Sequence, residues 1–321
     1  MTTMKALRFE KYGPPAVLSL QELPLPEPKP GEVLIELHAS AINPSDVKNV
    51  AGVFKASLPR TPGRDYAGVV VAGDGGWKGK EVWGSGPGYG VSHDGTHAQY
   101  VVVPLDGLSE KPSRLSMEEA STAGVAYLAA WSGLVQAANI QAGETALVTG
   151  AGGAVGRAAI QIAHWKKAKV IGADIVALPS DADAFINSKT TDMPTEVKAL
   201  TDGKGVDLVL DAVGGPMFEP SLKSLRVGGR QACITSIGNG RVEFNLTDFY
   251  HHLLTLTGVD TMKLTAREIA KIMDELRPGF EEGFLQPSTI QTWSLDQAVD
   301  AYTAVEKGTT TAKHVFLLQR K

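Results

Sequence analysis

The amino-acid sequence predicts an α/β protein made of a β-rich part and a doubly wound parallel sheet. Three observations predict it. The first 120 residues read as short strands rich in Val, Ile and Leu, cut by Gly and Pro. From residue 145 to 259, strand-like and helix-like segments alternate, the pattern of a mostly parallel sheet with helices on both faces. At the head of that alternation, a strand over 145–149 runs through a glycine-rich loop into a helix.

Taken in order, strands are expected over 4–9, 33–41, 68–72, 80–83 and 97–104, with the Pro-rich stretch 23–31 as a surface connection rather than a strand. Ser116 followed three residues later by Glu119 has the form of a capping box, and an Ala-rich helical pattern runs over 118–138 with a break near Gly124. The alternation then gives strands over 145–149, 169–173, 206–211, 230–234 and 255–259 and helices over 154–165, 195–201 and 218–225. Helices over 266–276, opened by Thr265, and over 294–305, with Ser294 and Gln297 as a second capping box, precede a last strand over 314–318.

The composition excludes several classes. With 43% hydrophobic and 21% charged residues and a net charge of −4, the chain has the balance of an ordinary soluble protein and lacks the clustered Lys and Arg of a nucleic-acid or membrane surface. No run reaches the ~18 apolar residues of a membrane span, and the first residues carry no signal-peptide pattern. The single cysteine, Cys233, forms no internal disulfide and sits in an apolar run, which suits a core thiol. A cytoplasmic protein with no nucleic-acid or membrane partner is expected.

The loop reads Gly150-Ala151-Gly152-Gly153-Ala154-Val155-Gly156. Its spacing fits A-x-G-x-x-G on Ala151, Gly153 and Gly156. Ala151 allows the tight turn, Gly153 lets the backbone approach a pyrophosphate, and Gly156 lets the helix pack close to the strand. The following helix offers free N–H groups and a positive dipole end to phosphates. Asp174 ends the next strand, 21 residues after Gly153. An acid there accepts bonds from the adenosine ribose and repels a 2′-phosphate, which favours NADH over NADPH. The alternative is a solvated strand end, because the segment 175–181 is short, apolar and interrupted by Pro179 where a helix usually follows. Val213, Gly214, Ser236 and Ile237 stand after the next two strands, where parallel sheets bind ligands, and are candidates for the nicotinamide side.

These pieces resemble the medium-chain dehydrogenase/reductase superfamily, and most closely its zinc-free quinone oxidoreductase branch of zeta-crystallin-like and enone reductases. The resemblance covers nearly the whole chain. It is carried in order by Lys5-Ala6, Pro30-Gly31-Glu32-Val33-Leu34-Ile35, Ala41-Ile42-Asn43-Pro44-Ser45-Asp46, Gly63-Arg64-Asp65-Tyr66-Ala67-Gly68, Gly95-Thr96-His97-Ala98-Gln99-Tyr100, the glycine loop with Gln161, and the block from Asp207 to Gly215. It implies a GroES-like β-rich catalytic domain over 1–121, a Rossmann dinucleotide-binding domain over 122–262, a return to the catalytic domain over 263–321, a cleft between the domains, and a homodimer. It also implies hydride transfer from NADPH to a quinone or an α,β-unsaturated carbonyl. The sequence departs from the family at Asp174, which looks like the NAD-using branch, at Ala129 where relatives often carry Thr, and at Lys48 where zeta-crystallin-like members carry Tyr.

Zinc-dependent relatives place a Cys, a His-Glu pair and a further Cys or Asp around the metal. The matching places here read Asn43 and Arg64-Asp65. One cysteine in the chain builds neither a catalytic nor a structural zinc site. His93 and His97 have a helical metal spacing, but Gly95 between them argues for a loop, and His251-His252 reads as a helix end. Without a metal, the developing oxyanion needs donors. The segment from Asn43 to Lys48 is the expected wall of the site. There Asn43 serves both the nicotinamide ribose and catalysis, and Lys48, with Asp46 beside it, polarises the carbonyl or bonds to the ribose. The plainer alternative for Lys48 is a solvated side chain on a short helix. Tyr66 is a candidate donor to substrate with core packing as its alternative, and Tyr127 is a lesser candidate. Lys313 matches a basic residue that reaches the coenzyme in relatives. The competing functions are an alcohol dehydrogenase-like enzyme of another substrate and a non-catalytic nicotinamide-nucleotide sensor.

Overall fold

A computed structural model describes residues 2–73, 75–176, 181–308 and 310–319. The chain divides into two compact units, one of Met1–Val125 with Met262–Lys321 and the other of Ala126–Thr261.

In the first unit, β1 (Thr3–Arg8) and β2 (Ser19–Pro24) form an antiparallel pair. Next come β3 (Glu32–Ile42), α1 (Pro44–Val50), β4 (Asp65–Gly73), β5 (Glu81–Ser85), β6 (Tyr100–Pro104), β7 (Ser109–Glu110) and α2 (Met117–Ser121). The long strand β3 organises the main sheet. One of its edges pairs with β4, with two register shifts on the way, and the other is shared by β6 over Glu32–Glu36 and by the C-terminal strand over Ala39–Ile42. Its side chains close a core with Leu7, Phe9, Tyr66 and Phe316.

α3 (Gly124–Trp131) begins in the first unit and runs on into the second, which also holds β8 (Thr145–Thr149), α4 (Ala154–Trp165), β9 (Lys169–Asp174), β10 (Ala184–Asn187), α5 (Met193–Leu200), β11 (Val206–Asp211), α6 (Phe218–Lys223), β12 (Leu225–Cys233), α7 (Leu246–His251) and β13 (Thr255–Gly258). Its strands are all parallel, in the order β10-β9-β8-β11-β12-β13. Numbered within the unit, that is 3-2-1-4-5-6, the order of two mononucleotide-binding halves that meet beside the first strand. The middles of β8, β9 and β11 are apolar because both their faces are covered there, and their polar residues stand mostly at the strand ends.

The chain then returns to the first unit through α8 (Ala266–Glu281), β14 (Ile290–Ser294), α9 (Ala298–Lys307) and β15 (Lys313–Leu317). This gives the expected α/β fold with a GroES-like sheet and a Rossmann sheet.

Several elements differ from expectation for local reasons. β2 reaches into Leu23-Pro24, because proline is tolerated at the end of an edge strand. Residues 97–99 leave the β6 register and bond to β1 instead, with Leu7 N–H on the His97 carbonyl and Gln99 N–H on the Lys5 carbonyl. α8 continues past Leu276 and through Pro278, since Leu276 and Phe280 both bury on the same face as Ile269 and Ile272. That apolar stripe outweighs a proline cost of about 3 kcal/mol. The helix expected over 294–305 opens as a 3-10 turn at Leu295–Gln297 on the Ser294 cap. Positions 177–180 of the irregular segment after Asp174 lie outside the described residues. Among the described residues, no helix is long and apolar enough to cross a membrane.

Candidate functional site

In the second unit, β8 ends at Thr149 and the chain turns through Gly150 with φ of 65° into a loop capped by Gly153 at the head of α4. Ala151 is fully buried and donates its N–H to the Ala173 carbonyl at 3.2 Å, which ties the turn to β9. A Cβ on Gly156 would lie 2.2 Å from the Gly150 carbonyl oxygen and 2.7 Å from Ala151 Cα, so only glycine lets the helix sit this close. A Cβ on Gly153 would meet one atom, the Gly150 oxygen at 3.2 Å, and otherwise open space. Gly153 is exposed, with Gly152, Ala154 and Val155 half-buried around it. The loop therefore shows bare backbone and the head of a 12-residue helix to its surroundings.

Asp174 comes to this loop. Its Oδ2 accepts from Gly152 N–H at 2.9 Å and its Oδ1 from Ile175 N–H at 2.7 Å. Arg157, one turn into α4, donates to the Gly152 carbonyl at 2.6 Å, and the buried Tyr127 hydroxyl donates to Gln161 Oε1 at 2.9 Å. Asp211, which the sequence reading left unassigned, holds the neighbouring strand ends together. Its fully buried carboxylate accepts from Thr149 Oγ1 at 2.7 Å and from the Val213 and Gly214 N–H groups at 3.1 and 2.9 Å. Gly214 has φ of 63°, and Ile237 N–H donates to the Val213 carbonyl at 3.0 Å. Ser236 and Ile237 are exposed. A buried acid at the end of a strand just before a glycine turn is the signal that could have found Asp211.

The first unit gathers a second group of residues. β3 delivers Asn43 as the cap of α1, β15 opens at Lys313 beside the Ile42–His314 pair, and β4 opens at Asp65. Asn43 is 2% exposed. Its Nδ2 donates to Asp65 Oδ2 at 2.9 Å and its Oδ1 accepts from the Lys313 ammonium. Asp65 also accepts from Val125 N–H, at 2.9 and 3.1 Å to its two oxygens. The Asn43 N–H donates to Asp46 Oδ2 at 2.8 Å. Burial pushes the Asp46 carboxyl up to about 6, with Asp65 adding to the rise and the Asn43 bond, Arg64 and Lys313 opposing it. Asn43, Asp46, Asp65 and Lys313 thus form one buried polar cluster, in which Asp65 is the acceptor that sequence reasoning had not placed at the centre.

Two expected residues lie apart from this cluster. Lys48 stands on the exposed side of α1. Tyr66 packs in the core, the alternative named for it: it is 1% exposed among the β-sheet side chains, and burial alone pushes its phenol well up. Alternation explains this, because Asp65 and Tyr66 are neighbours on β4 and point to opposite faces. His97 and His93 do not form a metal pair. His97 is fully buried, with Nε2 on the Ala41 carbonyl at 3.2 Å and Nδ1 on the Tyr302 hydroxyl at 2.8 Å, while His93 is exposed. His251 ends α7 and His252 caps it, as expected of a helix end.

The dehydrogenase fold raises the question of zinc. The position it would take is occupied by an amide, a carboxylate and an ammonium, and Cys233 lies in the other unit. A cationic donor and a neutral amide do not suit Zn²⁺, which takes Cys, His and carboxylate ligands. Among the described residues, no group of three or more His, Cys, Asp or Glu could hold a metal. A dinucleotide does suit the second unit, since Gly153 leaves a cradle that any Cβ would begin to fill and Asp174 offers a carboxylate beside it.

Comparison with known proteins agrees with this picture. The profile of the alcohol dehydrogenase GroES-like domain matches residues 29–113 and that of the zinc-binding dehydrogenases matches residues 154–277. A zinc-type alcohol dehydrogenase-like protein of Schizosaccharomyces pombe is 34% identical over 310 residues, covering 93% of this chain and 93% of its own length. The quinone oxidoreductase of Homo sapiens is 30% identical over 329 residues, covering 98% of both chains. The crystal structure of an alcohol dehydrogenase superfamily protein from Novosphingobium aromaticivorans superposes with a TM-score of 0.88 at 31% identity, covering 99% of this chain and 100% of that one. A GroES-like sheet, a Rossmann sheet with its glycine loop, and a polar cluster where relatives hold zinc therefore occur in a chain that belongs to the medium-chain dehydrogenase/reductase superfamily, in its zinc-free quinone oxidoreductase branch.

Proposed function

We propose that this protein is an NAD(P)H-dependent reductase that delivers hydride to a quinone or an α,β-unsaturated carbonyl without zinc. The observation that carries the proposal is the glycine cradle at the head of α4 with Asp174 bonded to it. The 30% identity to a quinone oxidoreductase supports the acceptor class.

The nicotinamide supplies the hydride when bound. The loop from Ala151 to Val155 holds the pyrophosphate through backbone N–H groups and the helix dipole. Asp174 takes the adenosine ribose hydroxyls and selects NADH, since its carboxylate repels a 2′-phosphate. Val213, Gly214, Ser236 and Ile237 line the nicotinamide side, on a turn that Asp211 fixes. Asn43 holds the nicotinamide ribose, and Lys313 acts through Asn43 by fixing its amide orientation. Lys48, exposed on α1, donates to the acceptor oxygen as charge develops there. A homodimer belongs to the same reading, because the parallel sheet ends on the exposed edge strand β13, near the exposed Tyr250 and Leu253. So does a cytoplasmic setting, in keeping with a lone, half-buried free thiol.

The test follows oxidation of NADH and NADPH in parallel, with a chelator present and an ortho-quinone or a simple enone as acceptor. Acceptor-dependent oxidation that survives the chelator, faster with NADH, is the expected result. Coenzyme binding with no oxidation by either acceptor would overturn the reductase reading in favour of a coenzyme sensor.

A further inference from the structure

Arg64 lies beside the buried cluster of the first unit and has no part in the reductase reading. It stands between Gly63 and Asp65 just before β4 and is 6% exposed. Its Nε is buried without a hydrogen-bond partner, and among the described residues its guanidinium makes neither a hydrogen bond nor an ion pair. Arginine stays charged inside proteins, and nearly all buried polar groups in native structures have partners. A guanidinium that is more than nine-tenths buried with none of its donors engaged is a site waiting for an acceptor.

The neighbouring carboxylates do not fill that role. Asp65 gives its oxygens to Asn43 Nδ2 and to Val125 N–H. Asp46 accepts from Asn43 N–H and feels Arg64 only through space. On α1, next to Asp46, the Ser45 hydroxyl is also buried without a partner. Arg64 and Lys313 balance Asp46 and Asp65 in formal charge, so a bound monoanion leaves the cluster with one net negative charge and a dianion with two, which disfavours the dianion. A planar monoanion that takes two parallel N–H bonds suits a guanidinium best.

We propose that Arg64 anchors a carboxylate of the acceptor, so that the substrate is an α,β-unsaturated carbonyl compound that also carries a carboxylate. The inference rests on the reductase reading for its chemistry, while the anion site itself stands on the geometry of Arg64.

The experiment uses the full-length protein in chloride-free buffer at neutral pH. Reduction of 4-oxopent-2-enoic acid is compared with that of its methyl ester, and binding of levulinate, the saturated analogue, is followed by calorimetry. The expected kcat/KM ratio of acid to ester is about tenfold or more in the parent protein. It falls towards one in Arg64→Gln and is partly kept in Arg64→Lys, which retains the charge without the planar fork. Levulinate affinity falls by about tenfold or more in Arg64→Gln. A ratio near one in the parent, or the same ratio in parent and Arg64→Gln, overturns the proposal. If Arg64→Gln does not fold, an unchanged ratio in Arg64→Lys overturns it and a reduced one upholds it. If neither acceptor is reduced, the reductase reading fails on its own. The anion site then still stands if levulinate binds the parent and not the variant, and falls if it binds both equally or neither.

Discussion

Replacing Asn43 with alanine tests whether the buried cluster is a single unit. The change removes the Nδ2 bond to Asp65 at 2.9 Å and the Oδ1 bond from Lys313. Each has a charged partner and contributes about 1.5–3 kcal/mol. Asp65 keeps its two contacts with Val125 N–H, so it stays partly satisfied. Lys313, 6% exposed, loses a buried acceptor, and breaking up a buried charge arrangement costs about 3–5 kcal/mol. The backbone bond from position 43 to Asp46 survives in alanine. The expected loss is about 3 kcal/mol. Lys313→Met removes the charge and keeps most of the volume, so the double variant no longer carries the ammonium that the Asn43 amide accepts from. Its destabilisation should fall short of the sum of the single variants by about 2 kcal/mol. Urea unfolding with hydrogen exchange on β3 and β15 peptides reads the first unit separately, which matters because two compact units need not unfold together. Additivity within about 0.5 kcal/mol would show that Asn43 and Lys313 are not coupled and refute the cluster.

The remaining predictions concern the coenzyme loop, pH and Lys48. Asp174→Ser removes the carboxylate at the cradle and should shift the NADPH to NADH preference by about tenfold or more, as expected from a like-charge term of a few kcal/mol at partly screened distances; unchanged preference would sink its proposed role. Gly156→Ala places Cβ 2.2 Å from a backbone oxygen and should cost about 1–3 kcal/mol in thermal or urea unfolding. Gly153→Ala meets only the Gly150 carbonyl oxygen, at 3.2 Å, so it should leave stability within about 1 kcal/mol and weaken NADH binding in a fluorescence titration. Asp46, raised from 3.8 to about 6 on folding, binds its proton more tightly in the folded state. Its contribution is therefore full below pH 3.8 and is lost as pH rises through 6, so Asp46→Asn should gain about 2 kcal/mol relative to the parent between pH 4 and pH 7. A flat difference in unfolding free energy across that range would count against the burial of its charge. Lys48→Ala, on the exposed side of α1, should change stability by less than about 0.5 kcal/mol. It should lower turnover more than coenzyme affinity, and equal activity would return Lys48 to the solvated class.

How much of this was legible in the sequence depended on where each signal lay. The strands 145–149 and 206–211 and the helix 154–165 coincide with β8, β11 and α4, because apolar runs buried on both faces and glycine loops are written locally. β10, β14 and α7 gave no such signal. β14 is short and has no buried residue, and its place is set by parallel pairing with β15, a partner some 20 residues further along the chain. α8 outran Pro278 because a buried stripe, invisible to a local breaker rule, carried it on. The coenzyme loop was readable for the same local reason as its strand and helix. The polar cluster was not, since Asn43, Asp65 and Lys313 are brought together only by the pairing of β3 with β4 and β15.

That pairing also explains how a dehydrogenase scaffold manages without its metal. In zinc enzymes, the ends of these strands converge on a cation that fixes several side chains at once. Here the Lys313 ammonium takes a similar organising part, through the Asn43 amide to the Asp65 carboxylate, and Asp65 in turn ties down the N–H of Val125 at the start of α3. A metal orients its ligands and withdraws electron density from a bound oxygen. An ammonium already bonded to an amide orients its neighbours but offers a substrate little Lewis acidity. Such an arrangement suits hydride transfer to a carbon already made electrophilic by conjugation, as in a quinone or an enone, and suits poorly the reduction of an unactivated ketone.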